Sequence, residues 1–189
     1  MKIAQLIKSE LQQLRTVTEL VGESDQQNIE KILRLFEKAL KTKKKILIAG
    51  NGGSAAEAQH FSAELVGRYK KERIALPSIA FTTDTSILTA IGNDYGYEKV
   101  FERQLAALGQ PGDILVLLST SGNSQNLLGL IALAKKQKIR TCALLGKNGG
   151  ALRGTCDVEY IAPSDNTARI QEIHLFLIHL ICEHIDSLY

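Results

Sequence analysis

His60 and Glu64 stand four residues apart in the stretch GNGGSAAEAQHFSAE, residues 50–64. On a helix that spacing sets both side chains on one face, about a turn apart. An imidazole and a carboxylate so placed can share a divalent cation such as Zn2+. The carboxylate can instead serve as a general base, and the same pair also occurs as a plain ion pair on a helix surface. Just before them, Asn51, Gly52 and Gly53 form a glycine-rich turn that lets backbone approach a ligand closely. Ser54 and Glu57 have the S-x-x-E spacing of a capping box, so the helix is expected to start at Ser54 with Glu57 serving its cap. The turn departs from the dinucleotide fingerprint G-x-G-x-x-G, because Ala55 takes the last place.

A second turn, Leu118-Ser-Thr-Ser-Gly-Asn-Ser124, joins an apolar run to a helical pattern. The unpaired N–H groups and dipole of a helix start attract anions. Ser119, Thr120, Ser121 and Ser124 can add hydroxyl donors to a phosphate. No lysine follows, so the Walker pattern GK[ST] is missing, and a sugar phosphate suits the turn better than a nucleoside triphosphate. A capping cluster of Ser and Asn explains part of this pattern, but four hydroxyls exceed what one cap uses. Near the end of the chain, Gln171 and His179 lie eight residues apart, roughly 12 Å along a straight helix. His174 and His184 sit five residues to either side of His179, point elsewhere around the helix and read as structural or surface residues.

These residues need a frame. Ile3, Ile7, Leu11, Leu14, Val17 and Val21 recur at three- and four-residue steps, which predicts an amphipathic helix. A second helix is expected from Ser24, with Gln27 completing a capping box. Short apolar runs then predict strands over 45–50, 78–82, 114–119, 141–145 and 158–162. Helical stretches over 54–68, 85–91, 98–108, 125–136 and 166–188 alternate with them. Such alternation implies an α/β protein, a three-layer αβα sandwich around a parallel five-stranded sheet. The chain reads as one domain over 1–189, with N-terminal helices in 1–43 that either pad the sheet edge or, the favoured reading, pack against another chain, and an α/β core in 44–189.

Composition narrows the function classes. The net charge of the 189 residues is only +3, much of it from the run Lys41-Thr-Lys-Lys-Lys45, and aromatics make up 5%. A nucleic-acid surface would need a broader basic face with aromatics. No segment reaches the roughly 18 uninterrupted apolar residues of a membrane span. The three cysteines, Cys142, Cys156 and Cys182, have no CxxC spacing and read as reduced thiols of a cytoplasmic protein.

The stretches ILIAGNGGSAAEAQHFSAELVGR, TAIGNDYGYE, LSTSGNSQN and ARIQEIHLFLIH resemble the phosphoheptose isomerase family of sugar isomerase (SIS) domain enzymes, over essentially the whole chain. The resemblance implies an aldose–ketose isomerase acting on sedoheptulose 7-phosphate, early in bacterial heptose synthesis for surface glycans. It implies one Zn2+ per subunit on His60, Glu64, Gln171 and His179, with Glu64 and His179 moving protons. It also implies that Asn93 and Asp94 bind substrate hydroxyls, where the residues alone equally suggest a turn. A homotetramer with sites near subunit interfaces is a further implication. Two other readings are a non-catalytic SIS protein that binds the replication initiator DnaA, and an isomerase for another sugar phosphate. The first kind lacks the equivalents of Glu64 and His179, which this chain keeps.

Overall fold

The computed structural model describes residues 2–21 and 23–189, without the side chains of residues 23–25. The side chain of the expected cap Ser24 therefore lies outside the described residues. Helices α1 (Ile3–Glu19) and α2 (Glu23–Lys41) precede β1 (Ile46–Gly50) and α3 (Gly53–Val66). Next come β2 (Ser78–Ala80), α4 (Thr85–Tyr95), α5 (Glu102–Leu108) and β3 (Ile114–Ser119). The chain ends with α6 (Gln125–Lys136), β4 (Arg140–Leu145), β5 (Val158–Ile161) and α7 (Thr167–Asp186).

All five strands pair in parallel, in the order β2-β1-β3-β4-β5. The central strands β1 and β3 are buried at every position because both of their faces are covered. Ile46 and Ile48 pack with α2, α3 and α7, whereas Leu47 and Ala49 pack with α5 and α6. This is the expected three-layer sandwich. From β1 the sheet grows to β2 on one side and to β3 on the other. The loops after β1 and β3 therefore part at the carboxyl ends of the strands and open a crevice where ligands bind in such sheets.

Three expectations change. The helix after β1 starts at Gly53, with Gly52 at the N-cap and no side-chain cap bond. Gly52 adopts φ 57, a turn that already brings residue 53 into the helix and leaves Ser54 buried inside its first turn. The helix expected over 85–91 continues to Tyr95, so Asn93 and Asp94 lie in its last turn. The stretch 98–108 divides into a 3-10 turn at Tyr97–Lys99 and then α5.

Helix α1 docks on α7, where Arg169 Nη1 donates to the Glu10 carbonyl at 2.7 Å. Its other face is bare: Ile3 is 78% exposed and Leu11 62%. Among the described residues no helix is long and apolar enough to cross a membrane.

Candidate active site

Helices α3 and α7 lie against each other on one face of the sheet. Positions 53, 57, 60 and 64 form one stripe of α3, by helical periodicity. At its start Gly53 is backed by the Gln171 amide. Two turns further on, His60 Nε2 meets His179 Nε2 at 2.9 Å, with the rings at 77°. His60 Nε2 also lies 3.7 Å from Glu64 Oε1. The eight-residue step from Gln171 to His179 thus matches the seven-residue step from Gly53 to His60. Gln171 shares no hydrogen bond with His60, Glu64 or His179 among the described residues.

His179 is half-buried beneath Tyr69, whose ring stacks on it at 5.6 Å and 25°. Its pKa is held below the ordinary imidazole value, first by burial and then by the neighbouring His60, while Glu64 pulls the other way. A neutral imidazole of this kind both accepts and donates a proton near neutral pH. One turn before His60, burial pushes the Glu57 carboxyl up to about 7 against the opposing hydrogen bond from Ser54. Its Oε2 is buried with no hydrogen-bond partner among the described residues.

The donor chemistry of His60, Glu64 and His179 suits Zn2+, which takes imidazole nitrogen and carboxylate oxygen. Two donors on a tetrahedral zinc lie roughly 3.3 Å apart, and the observed 2.9 Å and 3.7 Å bracket that spacing. Among the described residues no group of three or more His, Cys, Asp or Glu is arranged to hold a metal ion as it stands. The two histidines rest on each other instead.

Across the crevice lies the loop after β3. Ser119 is buried, and its Oγ accepts from Gly122 N at 3.0 Å, so this hydroxyl holds the loop's shape. Ser121 Oγ accepts from Asn123 N at 3.2 Å. Ser124 occupies the N-cap of α6 but makes no side-chain cap bond, which leaves its hydroxyl and that of half-exposed Thr120 for a ligand. Gly122 has φ 67 and presses against the Gly149 backbone, where a side chain could not fit. The two loops are tied by a reciprocal amide pair: Asn51 Nδ2 donates to Asn126 Oδ1 and Asn126 Nδ2 to Asn51 Oδ1, both at 2.9 Å. Tyr97 OH donates to the same Asn51 Oδ1 at 3.2 Å.

The residues 11–146 match the SIS domain family model. A curated phosphoheptose isomerase of Campylobacter concisus is 56% identical over 162 residues, 86% of each chain. Another, from Aliarcobacter butzleri, is 49% identical over 182 residues, 96% of each chain. The chain belongs to the phosphoheptose isomerase family of SIS domain proteins. The solved phosphoheptose isomerase of Francisella tularensis superposes with a TM-score of 0.94 at 36% identity, covering 99% of this chain and 100% of that one. The Neisseria gonorrhoeae phosphoheptose isomerase gives 0.91 at 40% identity, with 98% and 100% covered.

Of the family-implied site residues, His60, Glu64 and His179 come together, and Asn51, Gly52, Gly53 and Gln171 line the adjoining end of α3. Ser119, Thr120, Ser121 and Ser124 lie on the loop after β3, tied to Asn51 through Asn126. Asn93 and Asp94 are exposed, and Asn93 Nδ2 donates to Asp94 Oδ1 at 2.8 Å, so within this chain they face solvent and each other. His174 is fully buried, with Nε2 bonded to the Leu145 carbonyl at 2.9 Å, and His184 meets Glu37 at 3.3 Å. Three residues near the site escaped the sequence reading. Asn126 follows the hydroxyl loop by two positions and could have been included with it. Tyr69 and Tyr97 carry no local signal, since their partners lie far away in sequence.

Proposed function

We infer that the chain interconverts D-sedoheptulose 7-phosphate and D-glycero-D-manno-heptose 7-phosphate, the isomerisation that opens bacterial heptose synthesis for lipopolysaccharide or other surface glycans. The observation that carries this reading is the meeting of Glu64, His60 and His179 on one helix flank, beside a crevice walled by an anion-binding loop.

The reaction moves one proton between adjacent carbons and another between adjacent oxygens. We assign the carbon-bound proton to the Glu64 carboxylate and the oxygen-bound proton to His179, whose lowered pKa keeps it neutral and able to work both ways. Thr120, Ser121, Ser124 and the amides that open α6 hold the phosphate. Binding at that remote end fixes the first two carbons against the base. Gln171, backed on Gly53, belongs in this reading with the substrate oxygens. Asn93 and Asp94 serve substrate only where a neighbouring subunit brings a site to them. His60, Glu64 and His179, with Gln171 as the fourth donor that the family resemblance implies, are the residues that would hold Zn2+. Bound there, it would offset negative charge developing on the substrate oxygens.

The exposed stripe of α1 supports self-association, and the family resemblance points to a homotetramer. Three free cysteines, two of them buried, fit a cytoplasmic setting. The deciding assay follows conversion of five-, six- and seven-carbon sugar phosphates by wild type and Glu64→Gln. The wild type should turn over the seven-carbon substrate best. The variant should fold normally and lose at least about 10^2-fold in kcat. A variant retaining most of its kcat would remove Glu64 from the chemistry.

A further inference from the structure

Helix α3 ends at Val66, so the carbonyls of its last turn need partners from elsewhere. Gly67 N satisfies Ala63 O at 2.8 Å. The carbonyl of Glu64 is met by Arg73 Nη2 at 2.8 Å, its one donor among the described residues. Arg73 Nη1 donates to Leu65 O and to Ile74 O, both at 2.9 Å. The guanidinium is completed by Asp186, at the end of α7, through Nε to Oδ1 at 2.9 Å. Both side chains are buried, at 0% exposure for Arg73 and 6% for Asp186. The second carboxylate oxygen accepts from Lys70 N at 2.8 Å and Lys71 N at 2.9 Å. Those amides directly follow Tyr69, the ring that stacks on His179.

We propose that the buried Arg73–Asp186 pair is a positioning device for the proton-transfer groups, locking the backbone of Glu64 and the ring of Tyr69 to the helix that carries His179. The pair does more than close a loop, because its bonds end on the carbonyl of the base and on the amide next to the residue that packs the acid. The fork of an arginine reaches several carbonyls in fixed geometry, which a lysine cannot do. A carboxylate accepting two amides at once likewise sets the direction of the segment that supplies them. Together they hold the ends of α3 and α7 in register where His60 and His179 meet. Neither residue touches the loop after β3, so phosphate binding is independent of them.

This inference rests on the assignment of Glu64 and His179 to proton transfer, and the test separates the two. Arg73→Lys, Asp186→Asn and Tyr69→Ala are made in the full chain beside Glu64→Gln, and kcat, KM and thermal unfolding are measured with sedoheptulose 7-phosphate. A displacement of about 1 Å at a reacting group lowers the rate by up to about 10^2-fold. Each variant that folds should therefore lose about tenfold or more in kcat, with KM within about twofold of wild type. Asp186→Glu, which restores the carboxylate, should recover part of that loss. If the two pair variants fail to fold, Tyr69→Ala, at a half-buried site, decides alone by the same criterion. Wild-type kcat in folded variants, or a loss confined to KM, overturns the inference while an inactive Glu64→Gln leaves the proton-transfer assignment standing. An active Glu64→Gln overturns both.

Discussion

Replacing Gly53 by alanine probes the site with a single methyl group. Gly53 is the first residue of α3, and its φ lies outside the left-handed region, so the backbone accepts a side chain without strain. The added Cβ would stand 2.9 Å from Gln171 Cδ and 3.0 Å from Oε1, with Nε2 nearer still. Ordinary carbon contacts lie at about 3.5–4.0 Å, so the amide must withdraw by about 1 Å or turn to another rotamer. The obstacle is the far end of a flexible side chain, and the fold should tolerate it. Alanine in a helix gains at most about 0.5–1 kcal/mol over glycine, and the displaced contact offsets part of that. Stability should therefore stay within about 1 kcal/mol of wild type. Catalysis should not: a 1 Å displacement in the site lowers kcat/KM by up to about 10^2-fold, or roughly 2.7 kcal/mol. Steady-state kinetics and thermal unfolding on the same preparation separate these effects. Adding Gly53→Ala to Gln171→Ala should cause little further loss, because the methyl group then has nothing to displace. Wild-type kinetics in Gly53→Ala, or full additivity in the double variant, would refute the placement of Gln171 against the substrate.

Removing two hydroxyls of the loop after β3 with Ser121→Ala and Ser124→Ala together should raise KM several-fold at nearly constant kcat; an unchanged KM would take them out of the phosphate site. Glu57→Gln tests a buried carboxyl whose folded pKa, about 7, lies above its ordinary 4.5. Its stabilising effect is complete below about pH 4.5 and is lost as pH rises through 7, so the variant should gain about 1–2 kcal/mol at pH 8, after allowing for partial solvent screening, and nothing at pH 4. An equal gain at both pH values in thermal unfolding would show that the carboxyl does not titrate as its burial requires. Ile7→Asp with Leu11→Asp places two charges on the bare stripe of α1 and should shift sedimentation toward the monomer; a wild-type profile would show that this face does not make the contact.

Much of the frame could be read from residue order. The run Ile114–Leu118 is apolar at all five positions, as a strand buried on both faces requires. The helix over 125–136 has the expected bounds because an apolar stripe and the Ser-Asn turn before it agree locally. His60 and Glu64 share a face by spacing alone. The S-x-x-E spacing points to Ser54 as the start of α3, whereas the positive φ of Gly52, which depends on how the turn packs over the sheet, sets that start at Gly53. The last turn of α4 hides Asn93 and Asp94 from turn rules for a similar reason: the helix propagates through them to Gly96.

What the sequence determined by itself is therefore local: the period of each element, the hydroxyl loop, and the pairing of an imidazole with a carboxylate one turn apart. Tertiary structure alone decided that His179 meets His60 across 119 residues of chain, that Gln171 backs Gly53, and that Arg73 reaches Asp186 to cap the carbonyl of Glu64. The physical reason is that periodicity records which face a residue occupies, whereas these contacts depend on how two helices are placed along each other. That placement follows from the packing of both on one sheet, a sum over many contacts that no short stretch of residues contains.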